Sequence, residues 1–379
     1  MIRIASLLLA FATLPALAGD SYHVYFGCYT NAKSGSKGIH VSKFNAATGE
    51  LSAPELAVET GSPSFLAIHP SKKYLYAVGE MGTPGQKGGA VSAFRISQPD
   101  GRLTLINQVS SVGAGPCHIS TDATGRMAMI ANYGGGSVAS YAIADNGALS
   151  ESKTFVQHEG ASVDPKRQKG PHAHSFNRSP DNRYGFACDL GLDKVLIYKL
   201  DPAAGTMTRQ GHAAVPPGSG PRHFAFHPSG KFAFVNNEML MTVTTFAYDA
   251  DKGALTEVET VSTLPEADRG KTGLSTAETV AHPNGKVVYV SNRTHDTIAV
   301  FRCDPATGRL TLIQNAPAEG EIPRNFNLDP TGRWMIVAHQ NSNTAALFKV
   351  DAESGKLTFT GKKIPVGGAV CVRFLEVEG

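Results

Sequence analysis

Short apolar runs of five to seven residues recur along the chain, each bounded by Gly, Pro, Asn or Asp. One set follows a tight turn built on Pro70, Pro180, Pro228, Pro283 or Pro330, as in His227-Pro228-Ser229-Gly230-Lys231; Ala123 takes that place in Asp122-Ala123-Thr124-Gly125-Arg126. Runs 74–78, 127–131, 232–236, 287–291 and 334–338 lie just after those turns, and a short alternating run lies before each. A third set follows at 90–96, 137–143, 194–200, 242–248, 297–303 and 344–350. After it the chain returns to Gly-x-Leu or Gly-x-Met, at Gly49, Gly101, Gly147, Gly205, Gly253, Gly308 and Gly355, and then to a fourth run. β-prone runs of this length between such residues predict antiparallel strands.

The seven glycines are spaced by 52, 46, 58, 48, 55 and 47 residues. A period near 50 with turn chemistry at each return is the signature of a repeat architecture. Four short strands per repeat, arranged radially, give a β-propeller, which leaves only short, protected sheet edges. The first Gly-x-Leu lacks a Pro-turn strand before it, and the last is followed by an apolar run at 369–375. That run is expected to be the innermost strand of the blade begun by 22–29. The expected fold is therefore an all-β, seven-bladed β-propeller with four antiparallel strands per blade, one blade being closed by the C-terminal strand. A single tryptophan, Trp334, and no Trp-Asp dipeptide argue against the WD40 type.

The N-terminus changes the picture. Arg3, the apolar stretch 4–14 and the small-x-small Ala16-Leu17-Ala18 read as a signal peptide over residues 1–18, cleaved near Gly19. The stretch is shorter than the roughly 20 residues that span a bilayer. Residues 19–379 are then one exported propeller domain, periplasmic or secreted, with no membrane segment after cleavage. A formal charge of +3 without a Lys/Arg run gives no reason to expect nucleic acid. Cys28, Cys117, Cys188, Cys303 and Cys371 form no Cys-x-x-Cys, so neither a zinc ribbon nor attached haem is indicated. Gly270-Lys271-Thr272 lacks the upstream glycine of a phosphate-binding loop. No Gly-x-Ser-x-Gly elbow occurs.

Overlaying the repeats on the turn proline locates the chemistry. In an up-and-down blade the start of the innermost strand and the end of the second meet at one mouth of the central channel. Six places before the turn stand Ser64, Cys117, His174, Arg222, Ala277 and Arg324; five before stand Phe65, His118, Ser175, His223, Glu278 and Asn325. Ten places after it stand Glu80, Tyr133, Leu190, Glu238, Arg293 and Gln340. This layer is rich in His, Arg and Glu, and Arg167 lies on an inserted approach to it. A structural reading stands beside the functional one: Arg222 facing Glu238 across the first hairpin makes a structural salt bridge, and His118 and His223, equivalent and opposite Asn132 and Asn237, are architectural. His174 and Arg293 have no like residue in their layers. A hard cation is possible at Glu80, Asp189 and Glu238, but alternate residues point to opposite faces, so no metal or cofactor is expected.

The stretches Pro171-His172-Ala173-His174-Ser175, Asp189-Leu190-Gly191, Gly220-Pro221-Arg222-His223, Asn237-Glu238 and Ser291-Asn292-Arg293 resemble the seven-bladed lactonase family across the mature chain. That family includes propeller-type 6-phosphogluconolactonase and carboxy-cis,cis-muconate cyclase. The resemblance implies a lactone hydrolase with a small-molecule lactone as partner and His174, Arg222, Glu238 and Arg293 as catalytic set. Arg167, His118, His223, Arg324 and Glu80 are the further residues expected to bind substrate. Either Glu238 or His174 serves as base. The export signal sets an intracellular phosphorylated substrate against an unphosphorylated sugar acid, a muconate-type lactone or a non-catalytic binding role. One pairing is expected from repeat geometry: Cys28 and Cys371 side by side in the closing blade, as two thiols or as a disulfide tying the termini together.

Overall fold

The computed structural model describes residues 20–80 and 88–377; the signal segment read from 1–18 lies outside them. The described chain forms seven antiparallel sheets in one ring. Six blades use consecutive strands, over 63–110, 116–157, 173–214, 221–262, 275–317 and 323–365. The remaining blade takes its innermost strand, Ala369–Glu376, from the C-terminus and adds Ser21–Cys28 and Gly38–Asn45. Its outer edge is split into Glu50–Leu51 and Glu55–Glu59. The ring thus closes by pairing the two ends of the chain, as the orphan first and last runs required.

The seven repeated glycines have two reasons to be glycine. Each has positive φ, between 63° and 85°, a region costly for residues with a Cβ. Each also touches the blade before it. A Cβ on Gly49 would come within 2.3 Å of the Trp334 ring, and on Gly147 within 2.5 Å of Tyr74. Tyrosines of the neighbouring blade then bond the turn carbonyls: Tyr25 to Gly101 at 2.9 Å, Tyr76 to Gly147 at 3.1 Å and Tyr289 to Gly355 at 2.8 Å. The period therefore marks both a turn and an inter-blade seam. The hydrophobic clusters lie in these seams: one joins Leu75 and Tyr76 with Ile130 and Tyr141 of the next blade.

The seven inner strands share one irregularity. Pairing runs Pro221↔Asn237 and then His223↔Asn236, so Arg222 is left unpaired as a bulge. The same skip falls at Ser64, Cys117, His174, Arg324 and Val370, and over Ala277 and Glu278. A bulge re-aims the extra side chain and bends the strand. It also shifts the register by one residue, which corrects two sequence expectations. His118 pairs with Ala131 rather than Asn132, and His223 with Asn236 rather than Asn237. Cys371 pairs with Gly27, while Cys28 pairs with Ala369. Cys28 and Cys371 then face different seams, and both are buried free thiols. There is no disulfide between the termini.

Candidate active site

The bulge residues and the ends of the second strands meet at one mouth of the channel. Glu238 is at its centre. Its Oε2 accepts from Arg222 Nε at 3.1 Å and pairs with an Arg293 terminal nitrogen at 3.0 Å, while Oε1 accepts from Arg167 at 2.8 Å. Burial alone would push this carboxyl up, but Arg293, Arg222 and Arg167 pull it down to about 2, so it is ionised at neutral pH. Arg222 is 2% exposed. Burial, then Arg324 and Arg293, lower its pKa to about 9, which still leaves it charged. Arg222 also donates to the Ala277 carbonyl, and Arg293 to Thr276 O at 2.9 Å. Two backbone oxygens thus fix the arginine planes before any ligand arrives.

Beside this cluster a narrow cleft is lined by Ser64, Phe65, Glu80, Cys117, His174, Arg222, His223 and Arg324. The free space inside it is close to that of a single water molecule, so its side chains nearly fill it. Burial, then Arg222 and His223, hold the His174 imidazole well below its ordinary range, so it is neutral at pH 7. Its neighbour Cys117 has Sγ 3.8 Å from His174 Nδ1. Burial pushes that thiol far up, which removes the thiolate a cysteine nucleophile needs. Arg324 sits over the Tyr29 ring, 5.5 Å from its centroid. Among the described residues no hydrogen-bond acceptor reaches its guanidinium. Tyr29 in turn donates to Glu80 Oε2 at 3.0 Å.

Arg167 extends the mouth outward. It bonds the Tyr133 hydroxyl at 2.9 Å as well as Glu238. Tyr133 stacks on His172, 4.8 Å between centroids, and edges His174 at 5.2 Å. Tyr29, Tyr133 and His172 belong to the mouth but were not singled out from sequence. Tyr133 stands ten places after its turn, and Tyr29 directly follows the corresponding strand of the closing blade, so the position was readable where the aromatic chemistry was not.

His118 and His223 lie one layer deeper than Arg222 and His174. His223 packs against His174 and His118, with centroids 5.3 and 5.5 Å apart. Arg222 donates to its Nε2 at 3.2 Å, so Nδ1 carries the proton and donates to Glu278 Oε1 at 2.8 Å. His118 stacks on Phe65 at 4.2 Å and accepts the Phe176 N–H at 3.3 Å. Both line a second cavity with Glu278 and Arg373, and His223 lines the His174 cleft as well. Among the described residues no three His, Cys, Asp or Glu side chains converge as a metal site.

A sequence model of the family described as "Lactonase, 7-bladed beta-propeller" matches residues 23–374. The chain belongs to this lactonase family. It is 35% identical over 309 residues to the 6-phosphogluconolactonase of Bacillus subtilis, covering 82% of this chain and 85% of that protein. Among solved structures, a putative 6-phosphogluconolactonase from Bacteroides fragilis superposes with a TM-score of 0.86 at 33% identity, covering 94% of this lactonase-family chain and 98% of its own. A periplasmic gluconolactonase from Pseudomonas aeruginosa superposes with a TM-score of 0.87 at 33% identity, over 94% and 100%.

Proposed function

We propose that the protein hydrolyses the lactone of a sugar acid at the Glu238 mouth. The observation that carries this reading is a neutral His174 beside an arginine cluster already locked around an ionised carboxylate. In this reading His174 removes a proton from water as the oxygen bonds to the lactone carbonyl carbon. Arg222 and Arg293, fixed before the reaction, stabilise the tetrahedral oxyanion, the kind of contribution that preorganised donors make. The ring C–O bond then breaks, and the alkoxide takes the proton back from the His174 imidazolium. Glu238 is too well compensated to be a strong base; its role is to hold three arginines in place. Arg324, with Arg167, is suited to an anionic substituent of the substrate, because guanidinium groups bind carboxylate or phosphate bidentately.

The relatives named 6-phosphogluconolactonase support a phosphorylated substrate, and the periplasmic gluconolactonase supports an unphosphorylated one. The signal segment read from residues 1–18 supports the second and a reaction outside the cytoplasm. Purified mature protein is assayed with 6-phosphogluconolactone, gluconolactone and a muconate-type lactone. Turnover of a sugar-acid lactone above the uncatalysed rate is expected. Saturable binding without turnover of any of them makes it a binding propeller instead, and mass determination of the exported N-terminus tests cleavage after Ala18.

A further inference from the structure

Asp193 is a buried carboxylate, 4% exposed, with no cationic side chain among the described residues paired to it. Its backbone is left-handed, at φ 53°. All four bonds to its carboxylate among the described residues come from neutral donors. Oδ1 accepts from the Gln168 amide at 2.8 Å and from Gly220 N at 2.7 Å. Oδ2 accepts from the Ser162 hydroxyl at 2.6 Å and from Gly218 N at 2.6 Å. These donors belong to two separate segments, and each segment delivers an arginine to Glu238. Gln168 adjoins Arg167 on the inserted loop. Gly220 precedes Pro221-Arg222, and its carbonyl accepts the Glu238 N–H at 2.7 Å.

Part of this is ordinary architecture. Asp296 has φ 54° and accepts Ile322 N at 2.8 Å; Asn343 has φ 54° and accepts Gly368 N at 2.7 Å. Each ties its blade to the start of the next inner strand, and Asn343 shows that one carboxamide oxygen is enough for that. Asp193 differs in its second pair of bonds, to Ser162 and Gln168. Gln168 is itself fully buried and also donates to Leu190 O at 2.9 Å. The loop is closed on itself by Ser162 N to Gln168 O at 3.0 Å.

We propose that Asp193 is a positioning residue that sets the reach of Arg167 to Glu238 by clamping the Arg167 loop to the strand carrying Arg222. The kinetic part rests on the lactonase reading, and the clamp does not. Asp193→Asn keeps one oxygen and loses half the acceptors, one loop bond and one inter-blade bond, whereas Gln168→Leu keeps both inter-blade bonds and removes the loop's bonds to Asp193 and Leu190 O together with the acceptor of Asp164 N. Asp296→Asn is the architectural control.

Hydrogen exchange of residues 160–169, followed by mass spectrometry, is measured on each variant with no lactone present. Faster exchange in Asp193→Asn and Gln168→Leu, and unchanged exchange in Asp296→Asn, is expected. In the lactone assay, both loop variants raise KM for an anionic lactone about tenfold, the size of one charge-assisted contact, with kcat within about twofold. Combining Gln168→Leu with Arg167→Ala adds nothing to Arg167→Ala alone. The clamp is overturned if loop exchange is unchanged. The positioning role is overturned if the two effects multiply, or if Asp296→Asn raises KM equally. A wild-type protein that opens no lactone sinks the lactonase reading and leaves the exchange result to decide the clamp.

Discussion

Two carboxylates buried along one channel end in opposite states. Burial pushes both Glu238 and Glu278 upward. Glu238 nevertheless settles at about 2, because three guanidinium groups lie within 3.1 Å of its oxygens. Glu278, one layer down, rises to about 7. Its direct partners are neutral: His223 Nδ1, the Asn325 amide and Thr279 N. Arg373 and Arg222 act on it only from farther away. Depth in the channel does not separate these two groups; the charge of the immediate partner does. The mouth is therefore a region of fixed charge, and the layer beneath it is a region where charge is costly.

The largest effect is expected at Glu238. Glu238→Gln leaves Arg222 and Arg293 buried around a neutral amide, and breaking a buried pair in this way costs about 3–5 kcal/mol. Urea denaturation at pH 7 measures it, and a loss below about 1 kcal/mol contradicts the pairing. The sign of the pH dependence follows. Because the folded pKa is depressed, the Glu238 contribution is complete above about 4.5 and is lost as pH falls towards about 2.

Glu278 has the opposite sign. Its folded pKa is raised, so its contribution is most favourable below about 4.5 and declines as pH rises to about 7. A shift of that size corresponds to about 3 kcal/mol. Stability measured between pH 4.5 and 7 should lose this slope in Glu278→Gln. An unchanged slope would mean that Glu278 is ionised throughout and that the two layers are electrostatically alike.

The smallest effect belongs to Arg167, whose side chain is 44% exposed. Arg167→Ala should cost less than about 1 kcal/mol of stability, as half-exposed ion pairs do. Its effect on KM should be the larger one. A stability loss as large as that of Glu238→Gln would make Arg167 part of the core charge cluster instead of the substrate-facing rim.

The ring was legible because its cause is repeated. A turn glycine that must be left-handed and must also touch the preceding blade recurs seven times, and the orphan first and last runs specify ring closure. The channel layer was legible for the same reason, and Arg222 facing Glu238 followed from the overlay. The overlay missed the bulge, because an unpaired residue at the start of each inner strand leaves the spacing to the turn unchanged. It therefore placed Cys371 opposite Cys28 when Gly27 is its partner, and His223 opposite Asn237 when Asn236 is. Asp193 was hidden for a different reason. Its equivalents include Asp296 and Asn343, and what distinguishes it is a contact to an inserted loop outside the repeat.

The most direct measurement is proton release in a pH-stat as the wild-type protein and His174→Asn are each mixed with gluconolactone and 6-phosphogluconolactone at pH 7. The wild type should release acid well above the uncatalysed rate with at least one of them. His174→Asn, folded by circular dichroism, should be slower by about 10²–10⁴-fold, the range for a lost general base. Wild-type release at the uncatalysed rate, or a His174→Asn protein as fast as the wild type, would contradict hydrolysis at this mouth.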